Sequence, residues 1–342
     1  MKHLISFLFL LAAITTFAQK QNIYFVKNDG SLVQTKDSAD FVRVVAEPDS
    51  GTTLYNITEY YISGKRKLVG LSSSTYPVRF EGTVISFFEN GKRRAINKYK
   101  YGELVGDQYD YFPNGKLYTV KKYTEELTAT ITGSLEHFPD LEKQYLFFTS
   151  LDSLGTAILT DGIGYYKGYD SNFKEIIEEG PVKDGKKDGE WKGREDTISF
   201  IETYKAGLFI QGIGTSTTGI KVAYKNGRVT PAEFLGGIEK FTKYLSEHIN
   251  YPINDKDGNK QGKVIVSFDI DINGKVENIR VLRSPTPSMA EETVRVLRHS
   301  PNWSPAKKFG RNVPFKAFTI PINFGLQNAD TNLGHSVIPV IN

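Results

Sequence analysis

Apolar residues recur at spacings of three and four from Ile238 through Phe241 and Leu245 to Ile249, which places them on one face of a helix. The pair Tyr251-Pro252 ends that helix, because proline disfavours the helical region for the residue before it. From Gln261-Gly262 the period changes to two: Val264, Val266, Phe268 and Ile270 alternate with Ile265, Ser267, Asp269 and Asp271. This predicts a strand with one core face and with its two carboxylates on the solvent face. Asn273-Gly274 is the pair best able to take the positive φ values of a tight hairpin turn, and residues 276–282 read as the returning strand. Ser288 and Glu291 form a capping-box signature for a second helix, whose Ala290, Val294 and Leu297 share one side and which Pro301 closes. Trp303 stands between Pro301 and Pro305 and is expected to plug that helix against the sheet. Residues 313–324 carry Phe318, Ile320, Ile322 and Phe324 in alternation. Pro321 assigns this last strand to the sheet edge, since proline has no N–H to give to a ladder.

Upstream the pattern repeats itself. After two predicted strands in residues 19–50, Tyr60-Tyr61-Ile-Ser-Gly64-Lys65, Phe87-Phe88-Glu-Asn-Gly91-Lys92 and Tyr111-Phe112-Pro-Asn-Gly115-Lys116 each set an aromatic pair before a turn and Gly-Lys, every twenty-odd residues. Each copy reads as a hairpin whose glycine supplies the positive φ, and weaker copies follow at Gly180 to Trp191 and at Tyr224 to Gly227. One hairpin cannot bury its aromatic face alone, but a stack of them can. The expected fold class is therefore a mostly β antiparallel hairpin array over residues 51–228, preceded by the strands of 19–50. An α+β domain over residues 230–327, a small antiparallel sheet with two helices, follows it, and residues 328–342 form a tail. The stretch between Gly133 and Gly155 is less regular and stays unassigned.

Six features stand in a fixed order near the C-terminus: Phe234-x-Gly236-Gly237, Tyr251-Pro252, Gly262-x-Val264-x-Val266-x-Phe268, Asn273-Gly274-x-Val276, Pro301-x-Trp303-x-Pro305 and Pro321-Ile-Asn-Phe324. Together they resemble the TonB C-terminal domain. The hairpin units are similar to degenerate MORN-type repeats. The first resemblance implies a non-enzymatic partner for periplasmic peptide segments of outer-membrane TonB-dependent transporters, linked to transmembrane transport. It places the docking edge at Val313, Phe315, Lys316, Ala317, Phe318, Thr319 and Ile320, with Arg311 and Lys316 tuning the choice of peptide. An exposed edge also leaves the pairing of two copies open.

The 342 residues suit about two domains. A net charge of +4 without basic blocks points away from nucleic acid. Lys2, the apolar run that follows and Thr16-Phe17-Ala18 read as a secretory signal cleaved after Ala18, so residues 1–18 are expected to be absent from a mature periplasmic protein. With no cysteines, the cores must hold by packing alone. No membrane helix or proline-rich spacer is evident after the leader, which favours a soluble adaptor over an energising component.

The chemistry of a site is harder to find. Asp269-x-Asp271-x-Asn273-Gly274 opens like a calcium loop, but Arg280 occupies the twelfth position, where a bidentate Glu is needed, and a strand replaces the preceding helix. His137, His248, His299 and His335 are scattered; His248 and His299 fall near helix C-termini, where an imidazolium suits the dipole. No Gly-x-Ser-x-Gly elbow or dinucleotide fingerprint occurs. The expectation is no enzyme, no cofactor, no metal and no small-molecule substrate. The alternative function is an envelope scaffold acting through the repeats, although Lys92, Arg93, Arg94, Lys121 and Lys122 are expected to be an ordinary solvated face.

Overall fold

A glycine after an aromatic pair makes a hairpin here because it provides the single left-handed residue of a three-residue loop. Tyr61 N donates to Lys65 O and Gly64 N to Tyr61 O; the same two bonds recur from Phe88 to Lys92 and from Phe112 to Lys116, all at 2.8 Å. A fourth turn, Asp152 to Thr156, closes in the same way inside the stretch left unassigned. Neighbouring turns are tied to one another. Asn90 Nδ2 donates to Pro113 O and Lys92 Nζ to Asn114 O, and one step on Asn114 Nδ2 donates to Ser153 O and Lys116 Nζ to Leu154 O. The lysine of the repeated Gly-Lys is thus a tether between turns, and Lys92 makes this contact while remaining exposed, as expected.

The computed structural model describes residues 20–123 and 145–326, so the expected leader at 1–18, His137, His335 and the apolar tail segment 337–341 lie outside the described residues. The chain forms two compact units. The first comprises residues 20–123 with 151–156, and the second residues 145–150 with 157–326.

In the first unit the longer strands are β1 (Gln21–Val26), β2 (Phe41–Ala46), β3 (Tyr55–Tyr61), β4 (Arg66–Thr75), β5 (Val78–Phe87), β6 (Arg93–Lys100), β7 (Gly106–Tyr111) and β8 (Leu117–Tyr123). Each pairs antiparallel with the next. A buried carboxylate, Glu59, is held by Arg43 at 2.7 Å and Lys67 at 2.9 Å, and the Lys67 ammonium lies 3.7 Å from the centre of the Phe41 ring. The charge tolerates burial because both cations and an aromatic face surround it.

The second unit continues the same grammar through β9 (Ile163–Tyr169), β10 (Ile176–Lys183), β11 (Gly189–Glu195), β12 (Ile198–Lys205), β13 (Leu208–Ser216) and β14 (Lys221–Tyr224), again antiparallel in sequence order. Its core aromatics lie over glycines in neighbouring strands. A Cβ on Gly180 would come within 2.3 Å of the Trp191 ring, and one on Gly212 within 2.3 Å of the Tyr224 ring.

The C-terminal part of this unit holds helices α1 (Gly237–His248), α2 (Ile253–Asp257) and α3 (Pro287–Arg298) against strands β15 (Gly262–Ile270), β16 (Val276–Arg283) and β17 (Phe315–Phe324). The order in the sheet is β16-β15-β17, all antiparallel. The period-two reading of β15 holds: Val264, Val266, Phe268 and Ile270 are all fully buried. On α1, Phe241, Leu245 and Ile249 are buried, but Ile238, in the first turn, is exposed. The buried face of α3 is Met289, Thr293, Val296 and Leu297, turned away from the expected Ala290 and Val294, which are only half-buried. The cap is Thr286, whose hydroxyl accepts from Met289 N at 3.2 Å, rather than Ser288. Pro287 at the first helical position shifts the start, as proline is well suited to that place.

A short hairpin before β17 joins the C-terminal domain to the last strands of the array. Its tip carries Phe309 and Gly310 in left-handed conformations, and it pairs with Val229-Thr230. Phe309 is fully buried, stacked on Phe200 at 5.6 Å and set edge-on to Tyr224 at 5.7 Å, with its N–H on Arg228 O at 2.7 Å. Around it Lys308 meets Glu195 at 2.7 Å, and Arg311 donates to Gly214 O and Ile220 O. Beneath lies a buried network in which Arg228 binds Glu202 at 2.7 Å and Glu178 at 3.1 Å, Lys187 binds Glu178 at 3.0 Å, and Tyr224 donates to Glu202 at 2.7 Å. Two cations thereby balance two carboxylates, which is the condition for burying them. Phe309→Ala is expected to lower the unfolding free energy by about 3–5 kcal/mol, the range for a large aromatic lost from a closed site. Urea denaturation of the full chain followed by circular dichroism measures it.

Candidate functional site

The sheet of the C-terminal domain ends on β17, which pairs with β15 on one side and, among the described residues, with no strand on the other. Its core face is locked. Ile320, Ile322 and Phe324 are buried, and Phe318 lies 5.3 Å from Phe268 and 5.2 Å from Trp303. The solvent side keeps an unpaired row of backbone groups, the feature by which a strand recruits another strand.

Trp303 sets this strand in place. Its ring meets Phe234 at 5.4 Å, Phe241 at 5.0 Å and Phe268 at 5.5 Å, so it ties α1 to the sheet as well as to β17. Its backbone N–H donates to Gly274 O at 2.7 Å. A Cβ on Gly274 would stand 1.8 Å from the Trp303 carbonyl oxygen, which explains glycine at that point of the hairpin. The turn is a five-residue closure, with Asp271 N on Lys275 O and Gly274 N on Asp271 O, and only Gly274 of the Asn273-Gly274 pair has positive φ. Asp271 caps it by accepting from Asn273 N and Lys275 N, both at 2.8 Å.

The other motif residues serve the same frame. Gly236 and Gly237 take φ of 90° and 82° to start α1. Tyr251 packs edge-on to Phe324 at 5.6 Å and donates its hydroxyl to Lys260 O, while Pro252 leads into α2. Gly262, at φ 146°, faces Pro285 across the start of β15. Pro301 is exposed and Pro305 half-buried on either side of Trp303. Asp255 of α2 is buried and accepts from Thr286 at 2.7 Å and from Ser288, which clamps α2 to the N-terminus of α3. Ser288 therefore works through Asp255 and not through a capping box with Glu291. His248 and His299 sit at the ends of their helices, each with Nδ1 near a carbonyl one turn back.

Not all residues expected to form a docking edge lie on the free strand. Val313 precedes β17; it packs on the core, and its N–H is bound to Ala306 O at 2.8 Å. Phe315 is half-buried beside Phe318, whereas Lys316 and Ala317 are exposed. Thr319 bonds its hydroxyl to Ala317 O. Arg311 is committed to the carbonyls of Gly214 and Ile220, so its expected role in choosing a peptide is replaced by one in holding the domain to the array.

The largest departure concerns Asp269. In place of a solvated carboxylate on the outer face, it is 6% exposed and accepts from Ala317 N at 2.9 Å and Asn278 Nδ2 at 2.8 Å, with Arg280 at 3.2 Å and Lys316 at 3.7 Å. Ala317 itself has φ 58°, rare for a residue with a Cβ. These donors and cations, the Ala317 amide foremost, hold the Asp269 carboxyl below its ordinary pKa, and the hydroxyls of Ser288 and Thr286 do the same for Asp255. One signal for Asp269 was present in the sequence: aspartate is depleted from strand interiors, so an Asp within a Val/Ile/Phe strand calls for a partner.

Residues 247–326 match the family model described as Gram-negative bacterial TonB protein C-terminal. None of the curated proteins matches the chain. Among the described residues, no helix is long and apolar enough to cross a membrane.

Ala317→Gly is expected to stabilise the protein by about 0.5–1 kcal/mol, because glycine takes the left-handed conformation without the Cβ conflict; thermal unfolding measures it. Acid should act through Asp269 and Asp255. Their folded pKa values are depressed, so their contribution is fully present above the unfolded carboxylate value of about 3.9 and is lost as pH falls through the folded values. Amide spectra recorded down an acid titration should therefore show the signals of β17 and the start of α3 held until pH drops below about 4. Asp269→Asn should flatten the pH dependence in that window.

Proposed function

We propose, from the premise that residues 247–326 are a TonB C-terminal domain, that this chain is a non-enzymatic, transport-related protein of the Gram-negative envelope. It works in the periplasm, and β17 takes extended peptide segments of outer-membrane TonB-dependent transporters by β-augmentation. The observation that carries the reading is the outer position of β17 with its core face pinned by Phe318, Ile320 and Phe324. An incoming strand then meets a pre-ordered row of donors and acceptors, so little ordering entropy opposes docking. Backbone bonds supply affinity, and the exposed Lys316 side chain, 3.7 Å from Asp269, is a charge carried by the same strand.

The mount at Phe309 gives this reading a mechanical aspect. A domain that engages a transporter segment bears load, and the Phe309 hairpin with its ion pairs passes that load into the strands of the array. The alternative, a scaffold acting through the repeats, draws less support, because Lys92 and Lys116 are committed to carbonyls of neighbouring turns.

Titrating the isotope-labelled full chain with synthetic peptides from transporter N-terminal segments tests the proposal. Saturable amide shifts concentrated along β17 are expected, with dissociation constants between about 1 μM and 1 mM, the range for a short strand held by few contacts. An absence of shifts at about 1 mM peptide overturns it.

A further inference from the structure

We infer that Asp269 is a positioning residue for the docking strand: its carboxylate holds the N–H of one extra residue of β17 turned toward β15, so that a docked peptide pairs with residues 318–320 and its register stops at Ala317. The inference rests on the peptide-docking reading above and adds to it where on the edge a peptide is held and what sets the limit.

The strand count establishes the extra residue. Ser267 faces Thr319 and Phe268 faces Phe318, but the next partner of Ile270 is Phe315. From Phe268 to Ile270 the central strand advances by two positions, while β17 covers three. Lys316 and Ala317 together oppose Asp269, which is the definition of a bulge. Asp269 fills the gap this leaves in the ladder, since its Oδ1 accepts the Ala317 N–H that no carbonyl of β15 takes. Asn278 and Arg280, both on β16, fix the carboxylate from the far side, so its position is set by the neighbouring strand and not by a free side-chain torsion.

The consequence for a docked strand is geometric. Edge pairing needs donors and acceptors that face outward at every second residue. A bulge adds a residue to one strand only, so it shifts that alternation by one position and increases the local twist. A straight peptide in register with residues 318–320 is out of register with Phe315. The Ala317 N–H, already bound by Asp269, has nothing to give it. At the other end Pro321 carries no N–H at all. The strand therefore offers a short pairing segment with a stop at each end, and this also guards a permanently open edge against indiscriminate pairing.

The test uses the full chain and a short synthetic peptide from the N-terminal segment of a TonB-dependent transporter, carrying a nitroxide at one end or the other. Two readouts are taken: paramagnetic broadening along β17 and exchange protection of the Ala317 amide. For the unaltered protein, amide shifts should be confined to residues 318–320 and broadening should be strongest there, with the Ala317 amide protected whether or not peptide is bound. Asp269→Ala should speed exchange of that amide by at least about tenfold and let the shifts and the broadening maximum move into residues 315–317. Asp269→Asn, whose amide oxygen can still accept from Ala317, should restore both. Pairing that runs unbroken through Lys316 and Ala317 in the unaltered protein overturns the inference while leaving peptide docking intact, and requires no variant to fold. A folded Asp269→Ala protein with unchanged register and unchanged Ala317 exchange overturns it as well. If no peptide touches β17, the docking reading fails and the inference fails with it.

Discussion

The C-terminal domain depends on one close approach, the backbone of Trp303 lying directly on Gly274. The N–H of Trp303 reaches the Gly274 carbonyl at 2.7 Å, and the space for a Cβ at residue 274 is already filled by the Trp303 carbonyl. From that fixed backbone the indole meets Phe234 ahead of α1, Phe241 on α1, Phe268 of the central strand and Phe318 of the outer strand. The hairpin tip, the helix layer and the outer strand are therefore positioned by the same residue. Were the tip to move, the tryptophan would move, and with it the ring that holds β17 against its neighbour.

The array obeys a different constraint. A stack of hairpins has no thick core, so its order must come from repeated local contacts between neighbours. In the first unit these are tethers between turns, made by the asparagine and lysine of each Asn-Gly-Lys turn. In the second they are glycines lying beneath aromatic rings, and charges buried only where they are balanced. Glu202 is enclosed completely because Arg228 and two tyrosine hydroxyls, Tyr204 and Tyr224, all address it. Removing one partner of such a group costs more than the pair contributes, since the remaining charge is left buried. Phe309 closes this end of the array, and the hairpin that supplies it is held there by Lys308 on Glu195 and by Arg311 on the carbonyls of Gly214 and Ile220.

The free edge and the buried aspartate belong to one design. An open strand is a liability unless its pairing is limited, and a bulge limits it at small cost when something satisfies the displaced amide. Asp269 is that something. The strain stored at Ala317, a left-handed alanine, persists because the carboxylate and the two side chains of β16 over-determine its position. The edge is thus fixed on its core side and, among the described residues, unpaired with any strand on its outer side.

Much of this architecture was legible in the residues themselves. Period-two alternation placed Val264, Val266, Phe268 and Ile270 in the core, the aromatic-turn-glycine copies announced hairpins, and a tryptophan between prolines announced a plug, because each is a local rule of spacing or backbone conformation. The face of α3 differs from the apolar spacing because one of its buried positions, Thr293, is polar, while the apolar Val294 beside it is only half-buried. Ser288, Arg311 and Asp269 depart from expectation for a deeper reason. Each is a polar side chain whose partner is distant in the chain: Asp255, Gly214 and Ala317 respectively. The sequence by itself determined the elements, the hairpin repeat and the existence of an edge strand. Only the tertiary structure decided which polar groups are committed, because a hydrogen bond or an ion pair depends on the distance between two groups and leaves no period along the chain.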